Sequence, residues 1–255
     1  MGAWSTYSLE DFLLFSPRVY WRLFELHNAE LWPLQIPALA LGLLILWLVL
    51  SPRPSSDRVI AALLAIAWIA VGWLFLWQRY ATINWAIAYT APVFVVQGLL
   101  LVVGSITGHL RFRVARRWPE ATGLALVVYA LLLHPFAAPL LGRPFAAAEI
   151  AGITSDPTAI ATLGLLLTAS STRLIWLLLP IPVAWCVLSA VTLLAMDAPD
   201  AWIPLAAVAI VVLAGLGHLV FGAITRRRAP SPTGSPDRRS PAPPGSDRHS
   251  PAPPP

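Results

Sequence analysis

Residues 59–77 read VIAALLAIAWIAVGWLFLW, an unbroken apolar run between Arg58 and Arg79. A helix needs about 20 apolar residues to cross a hydrocarbon core some 30 Å thick. This run meets that length without a single charge. Six more runs qualify or nearly qualify, at 34–50, 85–108, 121–141, 158–170, 174–196 and 202–224. The run at 158–170 is the shortest. It passes only with little tilt, or by taking in part of the loop before it. The expected fold is therefore all-α, an integral membrane helical bundle of about seven transmembrane helices.

Composition points the same way. Of the 255 residues 58% are hydrophobic and 11% charged, and the mean hydropathy is +0.72. Soluble domains carry about 25% charged residues, so a water-soluble enzyme of this make-up could not cover its apolar surface. Cys186 is the only cysteine, which excludes a disulfide scaffold.

All 17 basic residues are arginine. They form no aromatic-interleaved basic patch, so a nucleic-acid partner is not expected despite a pI near 10.1. The bilayer is the expected partner, and the arginines orient the chain in it. With seven spans, Arg53, Arg58, Arg111, Arg113, Arg116, Arg117, Arg173 and Arg226 to Arg228 fall on one side. The opposite loops hold only Arg79 and Arg143, with the acidic Glu149, Asp156, Asp197 and Asp200. The positive-inside rule then places the N-terminus outside and the C-terminus in the cytoplasm. Tryptophans 32, 77, 85 and 202 fall near outer ends and 118 and 176 near inner ends, the depth amphipathic rings favour. Trp68 and Trp73 are mid-span and read as packing or lipid contacts.

Three segments follow: an outer amphipathic piece at 1–33, the spans at 34–225 and a tail at 226–255. No signal peptide is legible at the start. Residues 1–6 match the myristoylation pattern, yet the topology puts that end outside the cytoplasm. Ser16-Pro17 is a helix start, with serine as N-cap and proline at the first helical position. Tyr20, Leu23, Phe24, His27 and Leu31 then share one face. Arg22 and Glu25, three apart, can pair. This helix should lie in the outer interface or cap the bundle, and Pro33 and Pro37 should kink the chain into the first span. The tail has ten prolines in 229–255 and an imperfect repeat, DRRSPAPP and DRHSPAPP. It is expected to be disordered.

Ionisable groups inside spans are costly and mark function. His134 and His218 are the two in question. Each reads either as a histidine hydrogen-bonded to a neighbouring helix or as a functional group, and their different depths argue against one shared metal. Asp156 before Pro157 and Thr158 reads as an N-cap, whose removal would cost about 1 kcal/mol. A sharper reading pairs Asp156 with Arg79, or with an arginine of the N-terminal helix, in a shallow outer pocket with His134. The candidate polar cluster is Arg18, Arg22, Glu25, Asn28, Arg79, Asn84, His134, Asp156 and Thr158. Glu25, His27 and Glu30 lack a companion set for a metal, and no cofactor motif is present. Gly104 and Gly108 form a GxxxG that suits close helix packing.

Residues 15–28, FSPRVYWRLFELHN, with LWPLQ at 31–35, INW at 83–85 and DPTAIATLG at 156–164, resemble the bacterial membrane proteins grouped as domain-of-unknown-function family 6064. The resemblance runs over about 8–220 and implies a bacterial inner-membrane protein without a transferable activity. It also implies a tyrosine where this chain has His134. The functional expectation is a permease-like or small-ligand-binding protein with a site at the outer face. The alternative is a structural or assembly partner of another membrane protein. A membrane-embedded enzyme is the least supported, because no nucleophile–base pair is legible. No cofactor is expected. A protein partner or homo-oligomer is left open.

Overall fold

The structure is a computed structural model that describes residues 14–113, 118–169 and 172–228, with side chains omitted at 172–173 and 218–228. Among the described residues ten α-helices form a bundle. They are α1 (Pro17–Glu30), α2 (Gln35–Leu50), α3 (Ser56–Ala70), α4 (Thr90–Thr107), α5 (Trp118–Val128), α6 (Ala137–Leu140), α7 (Ser155–Thr168), α8 (Thr172–Leu178), α9 (Pro180–Ala195) and α10 (Trp202–Arg228). Among the described residues five helical runs are long and apolar enough to cross a membrane: Ser56–Thr82, Trp85–Thr107, Trp118–Leu140, Leu174–Ala195 and Pro199–Gly217. A sixth is counted if α1 and α2, bent by 93°, are taken together. The Pro-rich tail and the first residues lie outside the described residues, as do Arg116 and Arg117 and the His218 side chain.

Helix α1 starts as its residues dictate. The Ser16 hydroxyl accepts from the Val19 amide at 3.4 Å, and Pro17 sits at the first helical position. Its buried face is Tyr20, Leu23, Phe24 and His27, while Arg18 and Arg22 stay exposed. Arg22 and Glu25 form an ion pair. An aromatic cluster docks this face: Tyr20 lies 5.6 Å from Tyr80, and Phe24 5.1 Å from Phe75, ring centre to ring centre. The chain then breaks at 31–34, around Pro33, before α2 begins.

Two spans carry widened, π-type turns. The one at Tyr129–Leu133 has a local cause. Pro135 has no amide hydrogen to donate to Leu131 four residues back, so the ladder shifts there. The other, Val71–Trp77, contains no proline. There Gly72 lets α4 approach, since a β-carbon on it would lie 2.9 Å from the Phe94 β-carbon.

Helix α7 is the axis of the bundle. Every residue from Ser155 to Leu166 is buried, and α7 packs against α5, α9 and α10. A helix buried on every side has its place at the centre of a bundle. Gly123 and Gly164 bring α5 and α7 to backbone contact: a β-carbon on either would stand 2.5 or 2.6 Å from the other's carbonyl oxygen. The GxxxG at 104–108 behaves differently from expectation. A β-carbon on Gly104 would meet the Leu110 side chain at 2.6 Å rather than a helix backbone. Gly108, at φ 64°, ends α4 in the left-handed conformation. Trp68, fully buried, donates from Nε1 to Thr162 Oγ1 at 2.8 Å, while Trp73 is 54% exposed.

The loops sort to two ends. At one end Asp57 accepts from the Phe112 amide, Ser105 donates to the Arg58 carbonyl, and the Arg113 amide donates to the Thr168 carbonyl. At the other end Glu30 pairs with Arg79, Arg143 with Asp200, and His27 meets the Ile153 carbonyl.

Candidate functional site

The second end carries the polar groups, and the structure divides the nine expected site residues into separate places. Arg18, Arg22, Glu25 and Arg79 do come together. They line an open groove of about 720 Å³ between α1 and the segment that follows Trp77. Arg79 pairs there with Glu30, not with Asp156. Asn84 caps a short turn, its Oδ1 accepting from the Ala86 amide at 3.1 Å. Asn28 fastens α1 to the loop after α6, donating from Nδ2 to the Ala146 and Ala148 carbonyls at 2.8 Å each.

Asp156 lies two residues further into the helix than a cap would. Thr154 holds the N-cap position of α7, and Asp156 falls within the first turn. Its carboxylate points across the bundle to α9, accepting from Trp185 Nε1 at 2.7 Å and Ser189 Oγ at 2.5 Å. The helix begins earlier because Thr154 closes its own turn, exchanging bonds with the Ile150 amide and carbonyl at 3.1 and 3.2 Å. Thr158 continues the same stripe: its hydroxyl donates to the Thr154 carbonyl at 2.6 Å and accepts from the Gly152 amide at 2.8 Å. These contacts make Thr158 a positioning group for the loop. His134 is buried beside the Tyr129 ring, and its Nδ1 has no partner. So the outer pocket of Arg79, His134 and Asp156 does not form.

What forms instead is a buried charge cluster that the sequence did not single out. Arg143 donates from Nη2 to Asp200 Oδ2 at 2.6 Å, with both side chains almost wholly buried. The guanidinium also lies 3.6 Å over the Trp21 ring of α1. Glu149 is buried nearby, and the charges of Asp156, Asp200 and Arg143 all act on it. Burial pushes the Glu149 carboxyl well above the usual carboxylate range. The Asp156 and Asp200 charges push it further, and Arg143 opposes them. Three polar atoms of the cluster have no hydrogen-bond partner: Glu149 Oε2, Asp200 Oδ1 and Arg143 Nε. By charge all three residues are expected in the outer loops. No spacing rule, however, links positions 143 and 200.

His27 lies on the buried face of α1. Its Nε2 donates to the Ile153 carbonyl at 3.2 Å. Burial holds its pKa down at about 4; the Ile153 carbonyl opposes this and the Arg79 charge adds to it. Chemically, the cluster offers two carboxyl groups and one guanidinium. Among the described residues no group of three or more His, Cys, Asp or Glu side chains is arranged to hold a metal.

Fold and site together define a bundle of membrane-length apolar helices whose ionisable groups gather inside one end. Residues 17–223 match the family of unknown function DUF6064, and the chain belongs to that family. No curated protein matches the chain. No solved structure does either.

Proposed function

We propose that this is a bacterial inner-membrane protein that crosses the bilayer seven times and binds or passes a small ligand at its outer end. In this reading α2 and α7 are the two short crossings. α2 runs from Gln35, whose Nε2 donates to the Asn28 carbonyl at the α1 end, to the loop that holds Asp57. α7 runs from Ser155, beside the Ile150–Thr154 turn, to the Thr168 carbonyl bonded by Arg113. At 14 residues α7 rises about 21 Å, which suffices where other helices cover it from lipid. The loops that share an end by contact are the loops the arginines assign to one side.

The observation that carries the ligand reading is the buried cluster of Glu149, Asp200 and Arg143 with its three unpartnered atoms. Ionisable groups inside a membrane bundle are expensive and persist where they serve a pathway or a ligand. Purified protein should be heated with a panel of alkylamines, carboxylates, phosphates and hexoses. At least one class should raise the wild-type Tm by several degrees and leave Glu149→Gln unmoved. Silence across the panel, in protein that unfolds cooperatively, would count against a ligand site.

A further inference from the structure

A second cavity, apart from the charge cluster, opens on the inside of the elbow between α1 and α2. Its volume is about 630 Å³. Most of its wall is apolar: Ile36, Leu39 and Leu43 on α2 face Leu131, Leu132 and Phe136. Positions 36, 39 and 43 follow one face of α2 and cover about 10 Å of its length. The other part of the wall carries Glu25, Asn28 and Gln35.

Hydrogen-bond bookkeeping sets the character of that polar end. Gln35 is more than nine-tenths buried. Its Nε2 donates to the Asn28 carbonyl at 2.7 Å, and Asn28 Nδ2 donates to two carbonyls. Both amide nitrogens are thus committed to carbonyls, which fixes the orientation of both groups. Their oxygens, Gln35 Oε1 and Asn28 Oδ1, are acceptors and neither has a donor. Glu25 adds a carboxylate already held by Arg22. No arginine or histidine lines the cavity. The unanswered atoms at the polar end are therefore both acceptors, and both are uncharged.

We propose that this crevice holds one uncharged lipid whose head carries hydroxyl groups, of the monoacylglycerol type. Its hydroxyls answer Gln35 and Asn28, and its chain lies against Leu39 and Leu43. An anionic head would meet acceptors and the Glu25 carboxylate. A cationic head would meet a carboxylate that Arg22 already neutralises. Trp32, 66% exposed, sits in the same wall, and an indole of that kind favours the level of lipid heads.

The test is native mass spectrometry of the full chain in mild detergent with equal amounts of monoolein, oleate and oleylamine. Monoolein should be retained about tenfold over either charged lipid, a difference in affinity that corresponds to one decade in Kd. Leu39→Trp, which fills the crevice, should abolish that retention. Gln35→Leu should erase the preference among heads while chain binding persists. Should Gln35→Leu not fold, Leu39→Trp still decides the location. Equal retention of all three lipids, preference for a charged one, or monoolein binding unchanged in Leu39→Trp would each overturn the proposal.

Discussion

Arg143 and Asp200 meet across 57 positions of the chain, their charged groups 2.6 Å apart and almost wholly withdrawn from solvent. The pair ties the loop after α6 to the turn before α10. Trp21 of α1 covers the guanidinium. Three separate parts of the chain thus converge on one ion pair.

Removing one partner should be costly, because the other is left charged and buried. Asp200→Asn or Arg143→Gln should each destabilise the fold by about 3–5 kcal/mol. The double change Arg143→Met with Asp200→Leu should recover much of this. Thermal unfolding in detergent checks both, and a single variant as stable as wild type would refute the coupling.

Asp156→Ala should cost about 1–3 kcal/mol, because the donors of Trp185 and Ser189 lose a buried acceptor. Asp156→Asn keeps one carbonyl oxygen to accept from Trp185 and should cost less. A cap role would predict the smaller loss of about 1 kcal/mol for the alanine change. Comparing the two variants by thermal unfolding separates a bond across the bundle from a cap.

Acid should loosen α1 through His27. Its folded pKa, about 4, lies below the unfolded value of about 6.5, so the unfolded state binds more protons between these values. The stability is whole above pH 6.5 and is lost as pH falls from 6.5 through 4. The loss amounts to about 3 kcal/mol. Glu149 acts oppositely: its folded pKa is raised, so its contribution falls as pH rises above the ordinary carboxyl value. The measurement is therefore the pH dependence of unfolding in a Glu149→Gln background. His27→Gln, whose amide can still donate to Ile153, should reduce the slope by about that amount.

Gly164→Ala should separate α5 from α7. A β-carbon there would lie 2.6 Å from the Gly123 carbonyl oxygen, and backbone does not yield as a side chain does. A loss of about 1–3 kcal/mol is expected. Gly142→Ser, with open space around its β-carbon position but a left-handed φ of 77°, should cost only about 1–2 kcal/mol through strain. Tm values for the two variants rank the effects.

Reporter fusions after residue 113 and after Glu149 should report opposite compartments, with the arginine-rich loop in the cytoplasm. The same compartment for both would remove the seven-span reading.

Some of the protein was legible from its residues alone. Five of the seven apolar runs correspond to helical runs of membrane length among the described residues, since length and hydropathy are local properties. Ser16-Pro17 declares the start of α1, and the spacing of Tyr20, Leu23, Phe24 and His27 declares its buried face. Arginine placement anticipated which loops share an end. Tertiary structure alone decided that Asp156 faces Trp185 rather than capping its helix. It alone decided that Arg79 takes Glu30. It also gathered Glu149, Arg143 and Asp200 into one buried cluster. A periodicity fixes which face of a helix is buried but carries no information about which distant residue comes to lie against it. That is settled by how helices of nearly uniform apolarity pack, and here two facing glycines, 123 and 164, set the closest approach.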